Sequence, residues 1–145
     1  MGGAMDTGIG ARLVGSWRLV ETWREEAASG RREAQFGPAP SGWILYTAEG
    51  RMMALITGSG RHPPRDAADR AALHASMLAY SGRYAVSGDR VEHRIDVAWQ
   101  PAVVGQTFTR FVRFEGERLI LTSPPGPSAV DGVVATVTVV WERGA

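Results

Sequence analysis

The sequence predicts an all-β fold, a sandwich or barrel of sequential antiparallel strands, and three observations carry that expectation. Strand-like runs at 15–26, 31–36, 42–48, 51–57, 82–87, 90–99, 106–115, 118–123 and 133–142 follow one another at short intervals. The links Glu49-Gly50, Gly88-Asp89 and Gly116-Glu117 have the composition of tight hairpins, which makes consecutive strands neighbours in a meander. Several runs also alternate with the period of two that belongs to a strand wet on one face and dry on the other; RVEHRIDVAW, residues 90–99, does so almost without fault.

Taken in order, the first run places Trp17, Leu19, Glu21 and Trp23 on one face and Arg18, Thr22 and Arg24 on the other. GWILYTAEGRMMALI, from residue 42, is apolar on both faces, so Trp43/Leu45/Thr47 and Ile44/Tyr46 compete for the interior, and one face is expected under a helix. That helix spans roughly 66–80, between the fourth and fifth strands, with Asp66 as N-cap and Leu73, Met77 and Tyr80 at i, i+4 and i+7. It reads as a plug that buries its stripe, with a moving lid as the alternative. SPPGPS, 123–128, is a second loop able to rim the same opening. If Gly88-Asp89 is a two-residue turn, Ser87 pairs with Arg90, Val86 with Val91 and Tyr84 with His93. The same argument at Gly116-Glu117 sets Phe114 opposite Leu119 and Val112 opposite Leu121, and puts Phe108 and Arg110 on their face. Val133, Ala135, Val137, Val139 and Trp141 make a dry face on the last strand.

Composition bounds the rest. The 145 residues suffice for one domain with its own core, and neither an internal repeat nor a domain boundary is visible. The absence of cysteine removes disulfides and thiolate chemistry; with no secretory leader and no run of about 18 apolar residues, it makes a cytoplasmic, membrane-free protein the expectation. The 16 basic residues, all arginine, are scattered among 15 carboxylates, which argues against nucleic acid. His62, His74 and His93 lack metal-ligand spacing, no phosphate or dinucleotide loop is present, and only His93 could serve a haem, so no metal and no cofactor is expected.

Glu21, Tyr84, His93 and Arg110 thus stand in apolar rows beside Trp17, Trp23, Trp99 and Trp141. Either they satisfy one another in a closed core, with Glu21 and Arg110 as a buried ion pair, or they face a cavity. A barrel of eight or more strands has room for one small ligand, and a few polar groups in an apolar pocket are the usual form of such a site, which favours the cavity.

LVGSWRLVETW, FGPAPSGWILYTAEGRMMALI, VEHRIDVAW, RFVRFEGERLILTSPP and VVWER together resemble the bacterial and fungal lipocalin-like domain family over nearly all of residues 13–143. The resemblance implies an up-and-down antiparallel β-barrel of about 8–10 strands over 13–145, after a flexible segment 1–12, with an internal pocket for a hydrophobic small molecule. Some members are associated with natural-product pathways. Gly15-Ser16-Trp17 is similar to the G-x-W that opens true lipocalins, whose tryptophan closes the barrel floor under an arginine; Arg143 is placed to be that arginine, with a cation–π contact as the reason. The helix within the barrel and the lack of cysteine depart from the secreted members.

Acid/base chemistry without a cofactor is the activity these residues allow. His93 would exchange protons, Arg110 hold an anion, Tyr84 donate to a carbonyl and Glu21 orient the histidine. Trp23, Trp43, Met52, Trp99, Phe108, Val112 and Val137 are the expected ligand-binding residues. The reading is a cofactor-independent isomerase or cyclase acting on a hydrophobic oxygenated metabolite of polyketide type. The alternatives are a carrier using the same pocket, and a filled barrel that binds a protein partner. A homodimer is compatible with each.

Overall fold

A computed structural model describes residues 8–128 and 132–144. The chain forms α1 (Ile9–Leu13), β1 (Gly15–Glu26), β2 (Arg32–Ala34), β3 (Ser41–Tyr46), β4 (Arg51–Thr57), α2 (Ala67–Ala75), β5 (Met77–Ser87), β6 (Arg90–Ala98), a 3-10 turn (Pro101–Val103), β7 (Thr107–Glu115), β8 (Arg118–Thr122), β9 (Gly126–Pro127) and β10 (Val134–Arg143). Neighbouring strands pair antiparallel in chain order from β3 to β8, then to β10, and β1 pairs with both β10 and β3. Eight strands therefore close into an up-and-down barrel, with β2 and β9 as short strips on β1 and β10. Ser87 pairs with Arg90 and Glu115 with Arg118, and the turn glycines Gly88 and Gly116 have φ of 61° and 58°. Such left-handed backbone is what glycine supplies cheaply in a two-residue hairpin.

Two β-bulges overturn part of the expected alternation. In β1, Leu19 pairs with Trp141 but Glu21 with Val140, so Val20 is an extra residue. Below it Trp17 and Leu19 point inward; above it Thr22 is buried, Arg24 lines the interior, and Glu21 and Trp23 face outward. A bulge shifts the two-residue period by one, and here it keeps the Glu21 carboxylate in water without giving up Trp17. Trp23 packs outside under the Arg32 guanidinium, 5.0 Å from its ring. In β6, Ile95 pairs with Gly82 and Val97 with Ser81, so Asp96 is the extra residue; Val97 is 65% exposed and Ala98 turns toward Tyr80. A Cβ on Gly82 would run into the Arg94 carbonyl, so only glycine allows this close approach.

The doubly apolar β3–β4 hairpin turns Ile44, Tyr46, Met52, Ala54 and Ile56 inward and leaves Trp43, Leu45, Met53 and Leu55 on the outside. The helix is shorter than its expected span. Asp66 caps α2 by accepting from the Asp69 amide at 2.8 Å, but the helix ends at Ala75, and Met77 onward pairs with β4 as β5. Met77 and Tyr80 are therefore strand residues, and α2 buries none of its side chains. It neither plugs the barrel nor shows a buried stripe; His74 lies against Trp99, ring centroids 6.3 Å apart. The free edge of β4 has a full row of hydrogen bonds to offer residues 77–83, which outweighs a helical propensity worth tenths of a kcal/mol per residue.

The floor is closed as the G-x-W resemblance implied. Arg143 Cζ stands 3.9 Å from the centre of the Trp17 ring, its guanidinium donates to the Val14 carbonyl at 2.7 Å, and Trp17 Nε1–H donates to the Leu13 carbonyl at 2.8 Å. Gly15, with φ of 131°, leaves room for the guanidinium. Residues 9–12, expected in a flexible leading segment, instead belong to α1, which carries the fully buried Leu13; residues 1–7 lie outside the described residues. Among the described residues no helix is long and apolar enough to cross a membrane.

Deleting Val20 should restore strict alternation and force either Glu21 inward or Trp17 outward. We expect the deletion to cost on the order of 4 kcal/mol or to prevent folding, while Val20→Ala costs under about 1 kcal/mol. Urea denaturation of the two variants checks this, and equal stability would show that the bulge does not set the faces.

Candidate functional site

The inward side chains divide the barrel into a filled lower part and an open end. Trp17, Leu19, Ile44, Met52, Leu119 and Trp141 pack the lower part. Above them His93, 1% exposed, is held from both sides: Tyr46 Oη lies 2.7 Å from Nε2 and Tyr80 Oη 2.8 Å from Nδ1. Tyr84 pairs with His93 across the β5–β6 ladder as the hairpin register predicts, but its O–H donates to the Thr47 carbonyl at 2.7 Å and its ring stands edge-on to Tyr46. Burial lowers the His93 pKa from 6.5 to about 3, with the Arg110 charge acting in the same direction. Burial likewise raises Tyr80, opposed by Arg110, and raises Tyr46 further. Removing water penalises whichever form is charged, so the imidazole and both phenols are neutral around pH 7.

At the open end lies a cavity of about 540 Å³, within the range of small-molecule sites. Phe108 and Arg110 of β7, Arg24 of β1 and Val137 of β10 line it, together with Gln35 and Gln106; among the described residues none of its lining is a carboxylate. Arg24 is ion-paired to Glu33 at 3.1 Å. Arg110 has no carboxylate partner among the described residues: its guanidinium donates to the Thr109 carbonyl at 2.8 Å and sits 5.1 Å from the Phe108 ring. The described lining thus sets the Arg110 charge among apolar, amide and hydroxyl groups.

The expected site residues separate accordingly. His93, Arg110 and Phe108 come together as adjacent inward groups of β6 and β7, and Val137 joins them from β10. Met52 and Val112 are inward but buried in the packed core. Tyr84 is inward and committed to Thr47. Glu21, Trp23 and Trp43 are corrections: the Val20 bulge turns the first two outward, and the inward choice of Ile44 and Tyr46 leaves Trp43 37% exposed. Trp99, past the Asp96 bulge, packs on His74 instead of lining the cavity. Sequence reasoning missed Tyr80, assigned to the helix, Tyr46, left undecided, and Arg24, placed on the wet face. Only Tyr46 carried a usable signal: β3 and β4 must present one face together, and Gly42 on the Ile44/Tyr46 face fits a close backbone approach to β4. Among the described residues no three His, Asp or Glu side chains converge as a metal site needs.

The buried imidazole makes stability depend on pH in a stated direction. Between about pH 6.5 and pH 3 the unfolded chain protonates His93 and the folded one does not, so stability falls as pH drops through that window. The slope from this group is at most about 1.4 kcal/mol per pH unit, and above pH 6.5 the penalty vanishes. His93→Gln should remove that contribution and leave the weaker one from exposed carboxylates. Denaturation midpoints at several pH values check it; parallel curves for the two proteins would show that His93 is not buried in neutral form.

A family profile described as lipocalin-like domain matches residues 14–144. Among solved structures, a lipocalin-like protein from Bacteroides uniformis ATCC 8492 is similar at 14% identity and a TM-score of 0.48, with 92% of this chain and 99% of that one covered. An uncharacterized protein from Bacteroides eggerthii DSM 20697 gives 12% identity, a TM-score of 0.47, and coverage of 91% and 99%. No curated protein matches. With the profile spanning almost the entire closed barrel, the chain belongs to the lipocalin-like domain family.

Proposed function

We propose that this protein binds a small amphipathic molecule at the open end of its barrel, with the anionic or electron-rich end of the ligand on Arg110 and the apolar body against Phe108 and Val137. One observation carries the reading: among the described residues Arg110 is a half-buried cation without a carboxylate partner, on a cavity whose described lining holds no acidic side chain. A guanidinium removed from bulk water gains most from an anion that arrives with its own hydrogen-bond acceptors. Binding without turnover fits the environment of His93, which is enclosed by two tyrosines and held neutral far below pH 7.

A second reading keeps the cofactor-independent isomerase or cyclase. The observation in its favour is that the Arg110 charge bears on Tyr80, His93 and Tyr46 together, so an enolate oxygen near Arg110 would meet a polarised hydrogen-bonded chain. In that case Arg110 keeps the anion-holding role expected of it, Tyr80 takes the donor role expected of Tyr84, and Tyr46 and Tyr80 orient His93 in place of Glu21.

Isothermal calorimetry with decanoate, decanol and decyltrimethylammonium tests the first reading. Decanoate should bind at least about tenfold more tightly than the cation, and Arg110→Gln should weaken decanoate about tenfold, roughly 1.4 kcal/mol, while changing decanol less than about twofold. Equal affinities regardless of Arg110, or no binding by any of the three, overturns it. Incubation with a cell extract followed by mass spectrometry separates the readings: the carrier returns its compound unchanged, whereas an enzyme yields an isomer of equal mass that His93→Ala does not form.

A further inference from the structure

Hydrogen counting around His93 leaves a surplus. Tyr46, Tyr80 and His93 are 2%, 6% and 1% exposed, and each phenolic oxygen approaches one ring nitrogen, at 2.7 Å and 2.8 Å. A neutral imidazole offers one N–H and one lone pair, so one phenol donates to it and the other accepts from it. The accepting phenol still has its own hydrogen. If the imidazole were protonated, both phenols would accept and two hydrogens would be left over. With both phenols neutral, as their burial keeps them, at least one buried O–H lacks an acceptor in this triad in either charge state of the imidazole, and no other hydrogen bond is made by either phenol among the described residues. Buried hydroxyls are nearly always satisfied, so the surplus hydrogen calls for an acceptor that is not part of the chain, a buried water or an oxygen of a bound molecule.

The fold distinguishes the two phenols. Tyr46 pairs through Met52 with Gly82, whereas Tyr80 is the next inward residue of β5 toward the open end. Phe108, which lines the cavity, stands edge-on to Tyr80 with ring centroids 5.5 Å apart; Tyr80 is not itself a lining residue, so a ligand oxygen reaches its hydroxyl only past the edge of the Phe108 ring. Tyr46 instead packs downward against Tyr84, 4.9 Å between centroids.

We infer that His93 is the Nδ1–H tautomer, that Tyr46 donates to Nε2, and that Tyr80 accepts from Nδ1 and offers its own O–H to an acceptor oxygen of the bound molecule. The ligand class is thereby narrowed to amphiphiles that carry a carbonyl-type oxygen within reach of Tyr80. This rests on the cavity reading above and adds a residue and a chemical requirement to it. The histidine is a positioning residue: its Nδ1–H occupies one lone pair of Tyr80 and aims the remaining hydrogen.

The test is a cycle of two probes and two proteins. 2-Undecanone and 2-methyl-1-undecene have the same shape but only the ketone accepts a hydrogen bond, and both are titrated against bound 8-anilino-1-naphthalenesulfonate. Tyr80→Phe should weaken the ketone about tenfold and leave the alkene within about twofold, while Tyr46→Phe should change their ratio less than about threefold. Unchanged or equal losses for the two probes overturn the inference and leave the cavity reading standing, and so does a ketone-selective loss in Tyr46→Phe. If neither probe displaces the reporter from the wild type, the cavity reading fails and this one with it. Should Tyr80→Phe not fold, the imidazole ¹⁵N shifts of the wild type decide: protonated Nδ1 with bare Nε2 supports the assignment, and the reverse overturns it.

Discussion

The structure depends on how β1 closes the barrel against β10. These two strands pair along nearly their whole length, from Trp17 with Arg143 to Glu26 with Ala135, and the pairing holds only because Val20 is left out of register. Below that residue the seam is dry, with Trp17, Leu19 and Trp141 packed together; above it Thr22 and Arg24 face inward. One bulge thus divides an apolar floor from a polar opening. Without it, Glu21 would enter a core where an unpaired carboxylate costs several kcal/mol.

The same seam brings the Arg143 guanidinium over Trp17. Each contact there is individually modest, about 0.5–2 kcal/mol for a cation–π pair, but all of them act on the place where first and last strands meet. The exposed pairs Arg18–Glu142 and Arg51–Asp96 lie on the outside, where ion pairs contribute little. Stability therefore comes from closing and filling the lower barrel, and the part above it is free to carry polar groups.

Two such groups are Arg110 and the Tyr46–His93–Tyr80 chain. A core built for stability alone would replace them with apolar residues, because a buried hydroxyl lacking a partner costs about 1–3 kcal/mol and a desolvated cation more. Their position between the packed floor and the cavity places that cost where a ligand can offset it. Burial holds the imidazole neutral, which suits a fixed hydrogen-bond donor better than a group that must exchange protons near pH 7.

The order of strands, the two-residue hairpins, the pairing of Tyr84 with His93 and the inward face of β7 were all legible in the sequence, because each follows from a period of two and a local turn. His93 and Arg110 could be found for the same reason: a charged or polar residue in a dry row is visible without a structure. What only the tertiary structure decided was every position downstream of a bulge or at a contested boundary. Glu21, Trp23 and Trp99 changed sides because one extra residue in β1 or β6 inverts the alternation, and no local signal marks Val20 or Asp96 as that residue. Tyr80 left its helical stripe because the edge of β4 needed a partner strand, and Tyr46 won over Trp43 because a two-sided apolar hairpin has no inside until the barrel closes. Alternation is a property of neighbouring residues, whereas which face is the inside is set by strands far apart in the chain.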